Sequence, residues 1–166
     1  MRSAYQVRLV ANLVNGSTVT GVLVAAAGRA RLARGHDGLL IGAGYRLPVP
    51  VAPAFTVGNV ILARSDHATL ATMPPLVAHE ARHATQYAYC AGLPMLPLYF
   101  LAAAVSWGLT GDFGAQNVFE RRAGLADGGY TDRPLRPAVA RLGGRLARAA
   151  GRRVARSDGP SAGAAA

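Results

Sequence analysis

The chain has 166 residues, 51% of them hydrophobic and 16% charged, which suits one domain with a buried core and excludes a wholly disordered polymer. One cysteine, Cys90, excludes an intrachain disulfide framework and a multi-cysteine zinc ribbon. Net charge is +10, but residues 131–166 hold eight arginines against Asp132 and Asp158, a net of +6; the remaining +4 is no argument for a nucleic-acid partner.

Ala4–Val14 carries Tyr5, Leu9 and Leu13 at helical spacing, with Val10 and Val14 beside them, and stops at Asn15-Gly16. Asn12, Asn15 and Gly16 interrupt any signal-peptide core, so a cytoplasmic protein is expected, with association at a membrane surface left open. Ser17 or Thr18 is placed to cap a second helix to about Ala27. His36-Asp37-Gly38 reads as a turn. Three apolar runs follow: Leu39–Gly42, Val49–Val51 and Phe55–Ala63. Pro48, Pro50 and Pro53 confine the middle run to an edge or to irregular chain, which leaves the third as the best strand.

Thr72 before Pro74 and Pro75 predicts a helix start, because the first turn does not need the proline N–H. That helix should run from about Pro75 to Ala91 and stop at Gly92 and Pro94. Residues 88–109 carry no charge. Pro94 and Pro97 leave only Leu98–Leu109 as an unbroken apolar helix, short of the ~20 residues a bilayer needs, so a buried helix is expected. A further helix is expected over Asn117–Ala126. Helices, a few strands and more helices read as α+β, with a domain over 1–133 and an Arg-rich tail over 134–166, partly helical and then disordered. In the tail, Arg141, Arg145, Arg148, Arg152 and Arg156 form a cationic stripe able to meet anionic lipid or nucleic-acid phosphates; a solvated extension is the alternative.

The chemistry lies in His79-Glu80-Ala81-Arg82-His83, an H-E-x-x-H. Residues four apart stand one helical turn above each other, so both imidazoles leave one face and can share a Zn²⁺. Glu80 points about 100° away around the helix, towards a metal-activated water whose proton it could take and pass to a leaving amine. With four histidines and two glutamates, chance yields the motif in roughly one shuffle per thousand. The competing reading is a pair of buried, hydrogen-bonded helix histidines.

A catalytic zinc needs a third protein ligand. No histidine follows His83, which leaves Asp112, Glu120, Asp127 and Asp132 downstream. Glu120, on a later helix beyond the apolar segment, is the favoured ligand. Its rival role is local, since Asn117-x-x-Glu120 is also a capping-box pattern.

His79–His83, the breaker Gly92, the apolar return and Asn117-x-x-Glu120-x-x-Ala123 together resemble a gluzincin-type zincin metallopeptidase. The longer string HEARHATQY is similar to small bacterial HExxHxxQY proteins. The resemblance covers about Phe55–Tyr130. It implies a zincin-like domain, with a few-stranded sheet packed on the active-site helix. It also implies zinc on His79, His83 and Glu120, with Glu80 as general base and peptide or protein as substrate. In zincins the strand before the motif helix commonly pairs with an extended substrate, a role that would fall to Phe55–Ala63. The departures are a short chain and no unmistakable oxyanion-stabilising residue, with Tyr130 and His67 the only candidates. Peptide deformylases place a cysteine ligand upstream of the motif, whereas Cys90 lies downstream.

Other residues are read more plainly. Cys90 and the aromatics Tyr87, Tyr89, Tyr99, Phe100 and Trp107 are expected in the core, and His36 and His67 in loops. Gln86 is either a polar helix position or a partner one turn beyond His83. Two further functional readings stay open: a binding module whose zinc is structural, and a basic adaptor acting through the tail.

Overall fold

The computed structural model describes residues 2–141 and residue 148. Helices α1 (Arg2–Val14) and α2 (Ser17–Ala27) open the chain. Strands β1 (Arg31–Arg34) and β2 (Leu40–Ala43) follow, joined by a 3-10 turn at His36–Gly38. Next come β3 (Ala54–Val57), β4 (Val60–Ala63) and the short α3 (His67–Ala71). The chain then forms α4 (Pro74–Tyr89), α5 (Met95–Thr110) and α6 (Val118–Ala123). This is an α+β architecture, as the element order predicts. Most of the Arg stripe expected in the tail lies outside the described residues.

The four strands form one sheet in the order β1-β2-β4-β3. β2 and β4 are parallel, and the outer pairs are antiparallel. All four residues of β4 are buried. Successive side chains point to opposite faces. Val60 and Leu62 therefore pack with Ala25 and Tyr45 on the α2 side. Ile61 meets Ala84 of α4, and Ala63 meets Leu70 and Leu76 of α3 and α4. Burying Val60, Ile61 and Leu62 stabilises the fold by about 1.5–3 kcal/mol each. The same alternation turns Thr56 of β3 towards α4.

The run Phe55–Ala63 is not one strand. It folds into the β3–β4 hairpin at Gly58-Asn59, because Gly58 takes a left-handed φ of +61° that reverses the chain. A Cβ on Gly58 would lie 2.4 Å from backbone atoms of Ser17 and Thr18. Asn59 fixes this contact by donating to Thr18 Oγ1 at 2.9 Å, and Asn12 of α1 donates to Asn59 Oδ1 at 3.0 Å and to Ala84 O at 2.8 Å. The buried network ties both N-terminal helices to the hairpin and to α4.

Several other expectations need correction. β1 was invisible as an apolar run because all four of its residues are exposed. In α1 the face that is buried carries Arg8 and Asn12, while Val10, Leu13 and Val14 are exposed. α5 is not a buried helix: only Met95, Ala103 and Ser106 are buried, and Phe100 and Leu101 are 64% and 63% exposed. Tyr89 and Trp107 are likewise exposed rather than core. His67 opens α3, capped by Asp66, whose side chain accepts from Thr69 N. Among the described residues no single helix is long and apolar enough to cross a membrane; α1 and α2 together, bent by 72°, reach that length and composition.

Gly58→Ala is expected to destabilise the protein by about 1–3 kcal/mol, since it meets both an unfavourable φ and unyielding backbone. Urea denaturation midpoints measure it, and an unchanged midpoint would remove the hairpin–α2 contact from this account.

Candidate metal centre

Pro74 and Pro75 begin α4, and the helix ends at Cys90, before the left-handed Gly92. Leu76, Ala84 and Tyr87 anchor it to the body, all buried. His79 and His83 stand one turn apart on the side facing α6, with Nε2 atoms 3.0 Å apart. α6 brings in the third group: Glu120 Oε2 lies 3.1 Å from His79 Nε2 and 3.6 Å from His83 Nε2. All three side chains are buried, and their ligand atoms fall within 4.8 Å of one another.

The outer ring nitrogens settle what the inner ones offer. His79 Nδ1 sits 3.0 Å from the carbonyl of Gly124, which can only accept, so Nδ1 carries the proton. His83 Nδ1 lies 2.8 Å from Gln86 Oε1, and Gln86 is oriented by donating its amide to Phe119 O at 2.9 Å. In the neutral rings both Nε2 atoms are then lone pairs facing a carboxylate oxygen. Glu120 Oε2, though 3.1 Å from His79 Nε2, receives no hydrogen bond of good geometry and has no partner. With both rings neutral, three buried acceptors converge with nothing to donate, a cost that a proton on His79 or a metal cation among them removes. Two imidazoles and a carboxylate are a donor set for a divalent transition metal. The His79–His83–Glu120 group can hold a metal ion.

Both readings of Asn117-x-x-Glu120 contribute. Asn117 caps α6 by accepting from Phe119 N at 3.0 Å, but Glu120 turns inward instead of closing the box. α6 ends at Ala123, earlier than expected, and Gly124 then offers its carbonyl to His79. Close behind, Gly128 leaves space for the same ring: a Cβ there would lie 2.4 Å from His79 Cε1. The rival acids are used elsewhere. Asp127 pairs with Arg82 at 2.7 Å, Asp132 pairs with Arg121 at 2.9 Å, and Asp112 accepts from the backbone of Gly114 and Ala115. His67 is remote from the centre, with Nε2 3.0 Å from Arg31 O.

Glu80 lies beside the centre, buried against β3. Thr56 Oγ1 is 2.7 Å from Glu80 Oε2 and 3.1 Å from Glu80 O. The Thr56 hydroxyl is the donor and has one proton, which the nearer contact, to the Glu80 carboxylate, takes. Burial raises the affinity of Glu80 for a proton, against the opposing pulls of His83 and of the Thr56 hydrogen bond. Burial works the same way on Glu120, but the histidines and Tyr99 outweigh it and hold Glu120 at about 2. For His79, burial opposes charge, yet the neighbouring Glu120 carboxylate and Gly124 carbonyl leave its proton affinity raised.

Sequence reasoning missed Tyr99 and Thr56. Tyr99, expected in the core, donates to Glu120 Oε1 at 2.5 Å from the start of α5. Burial and the Glu120 charge keep its hydroxyl protonated. Tyr130 stands nearby, its ring 6.5 Å from that of His79, and burial raises its pKa also. No local pattern announces either contact, since both span elements distant in sequence. Comparison of the chain with protein-family models, with curated proteins and with solved structures gave no match.

Metal analysis checks the donor set: His79→Ala and Glu120→Ala are each expected to lose bound metal, and Glu80→Gln to keep it. Retention by Glu120→Ala would return Glu120 to a purely local role. A pH effect follows for the metal-free protein. The folded value of Glu80 lies above its ordinary 4.5, so its stabilisation is complete below about pH 4.5 and lost as pH rises through the raised value. Glu80→Gln is therefore expected to raise the melting temperature at neutral pH, with a gain that vanishes towards pH 4. A gain independent of pH would contradict the assignment.

Proposed function

We propose that the protein is a zinc-dependent hydrolase of the zincin type, acting on peptide bonds. The observation that carries this reading is the approach of Glu120 Oε2 to the paired Nε2 atoms of His79 and His83, beside a buried Glu80 with raised proton affinity. Zinc on these three side chains, when bound, supplies Lewis acidity and brings the pKa of a water towards about 7. Glu80 would take a proton from an attacking water and return it to the leaving amine nitrogen, a role suited to a carboxylate whose proton affinity is raised. Thr56 holds the Glu80 carboxylate in place, and Tyr99 fixes Glu120 through its other oxygen. β3, at the sheet edge beside Thr56, offers main-chain groups to an extended peptide. Tyr130, with a protonated hydroxyl close to the site, is the candidate donor to a developing oxyanion.

One observation favours a second reading, a metal held for structure: His79, Glu80, His83 and Glu120 are all buried. Turnover separates the two. The wild-type zinc protein is expected to cleave members of a fluorogenic peptide library, and Glu80→Gln to lose about 10²–10⁴-fold in rate while retaining stoichiometric metal. Full metal with no cleavage across the library would favour the structural reading.

A further inference from the structure

The side of α4 turned away from the histidines borders a second feature. Val77, Ala81 and Thr85 follow one another every four residues, about 200° around the helix from His79 and His83. With α1, the 3-10 turn, α3 and β2 they enclose an open groove of about 770 Å³. That volume lies within the ~300–1,000 Å³ range of small-molecule sites. Its floor is apolar, formed by Leu39, Ile41, Leu70 and Val77.

One group contradicts that floor. Arg8, on α1, lines the groove with only 4% of its surface exposed. Its Nη2 donates to the backbone carbonyl of Asp37 at 2.5 Å, but its Nε is buried without a partner. The Tyr5 ring covers one face of the guanidinium, 5.3 Å away. Among the described residues no carboxylate forms an ion pair with it. Burial depresses its proton affinity even though the Asp37 charge opposes the shift. A buried guanidinium with no ion pair and incomplete hydrogen bonding is expensive, and an anion that completes it would recover that cost.

We propose that this groove binds an apolar monocarboxylate, with the carboxylate on Arg8 and the hydrocarbon body along Leu39, Ile41, Leu70 and Val77. The Arg8 guanidinium carries one positive charge, which one carboxylate neutralises, and Arg82, which also lines the groove, is already paired with Asp127. Asp37 borders the same groove and repels a dianion more strongly than a monoanion. The apolar floor demands a body that water does not retain. Such a carboxylate has two chemical sources, a fatty acyl chain or the C-terminal residue of a peptide. The site stands apart from the metal centre and is independent of whether that centre turns over substrate.

Isothermal titration of the full chain with sodium octanoate, 1-octanol and N-acetylleucine tests the assignment. Octanoate or N-acetylleucine is expected to bind at least about tenfold more tightly than octanol, and the better of the two identifies the source. Arg8→Gln should remove that preference. Ala78→Phe, which adds bulk to an exposed groove position without touching Arg8, should weaken carboxylate binding about tenfold or more. It keeps the test intact if Arg8→Gln fails to fold. Equal affinity for octanoate and octanol, or carboxylate binding that survives Ala78→Phe as it would at the metal centre, overturns the proposal.

Discussion

Two imidazole nitrogens and a carboxylate oxygen converge inside this protein, and most of the fold around them makes sense as the means of forcing that encounter. A lone pair on each imidazole and one on a carboxylate repel when brought together in a dry interior. Their approach, at separations of 3.0, 3.1 and 3.6 Å, is held by contacts on the far side of each group. Gly124 O and Gln86 Oε1 occupy the outer nitrogens of the rings, and Tyr99 occupies the outer oxygen of Glu120. Each contact fixes both an orientation and a protonation state. A cation turns this arrangement from a cost into a gain, which is why orienting partners are as informative as the three donors themselves.

The supporting contacts also explain the order of the helices. α6 is only six residues long, too short to persist alone. Its position comes from both ends. Asn117 caps the start, and Arg82 of α4 donates to Ala123 O and pairs with Asp127 beyond its finish. Gln86 crosses to Phe119 O between them. α4 therefore carries two of the donors and also holds the element that carries the third. α5 is the return path between them, and its one polar contribution to the site, Tyr99, is the fifth residue of the helix. That leaves the apolar remainder of α5 free of any duty to the centre, consistent with its wide exposure.

How much of this is legible in the sequence follows from what each residue depends on. The two histidines and Glu80 are readable because a single helix fixes their spacing, and local periodicity is what sequence patterns encode. Glu120 is readable more weakly, by elimination among four acids, because its approach depends on tertiary packing. The hairpin was hidden by composition: Phe55–Ala63 is apolar throughout, and Gly58-Asn59 breaks it with only two residues, a reversal that a continuous run conceals. β1 failed for the opposite reason. Arg31-Leu32-Ala33-Arg34 lacks apolar alternation because nothing covers it, and only pairing with β2 makes it a strand. The exposure of α5 is not legible because an apolar sequence fixes a preference and not a partner.

The two faces of α4 show the same physics with opposite outcomes. On one face, acceptors crowd together and lack a cation; on the other, the Arg8 guanidinium lies buried and lacks an anion. Neither is what packing alone would select, since an apolar side chain in place of Arg8, or of Glu120, would avoid the desolvation cost entirely. Ile41 in the floor of the groove and Thr56 beside Glu80 belong to the same sheet and rest on one helix. Each imbalance is thus carried by a scaffold stable enough to bear it, with β4 fully buried at its middle. Electrostatic incompleteness in a rigid frame is the property that makes a binding site from a packed interior, and here it occurs twice, with opposite sign.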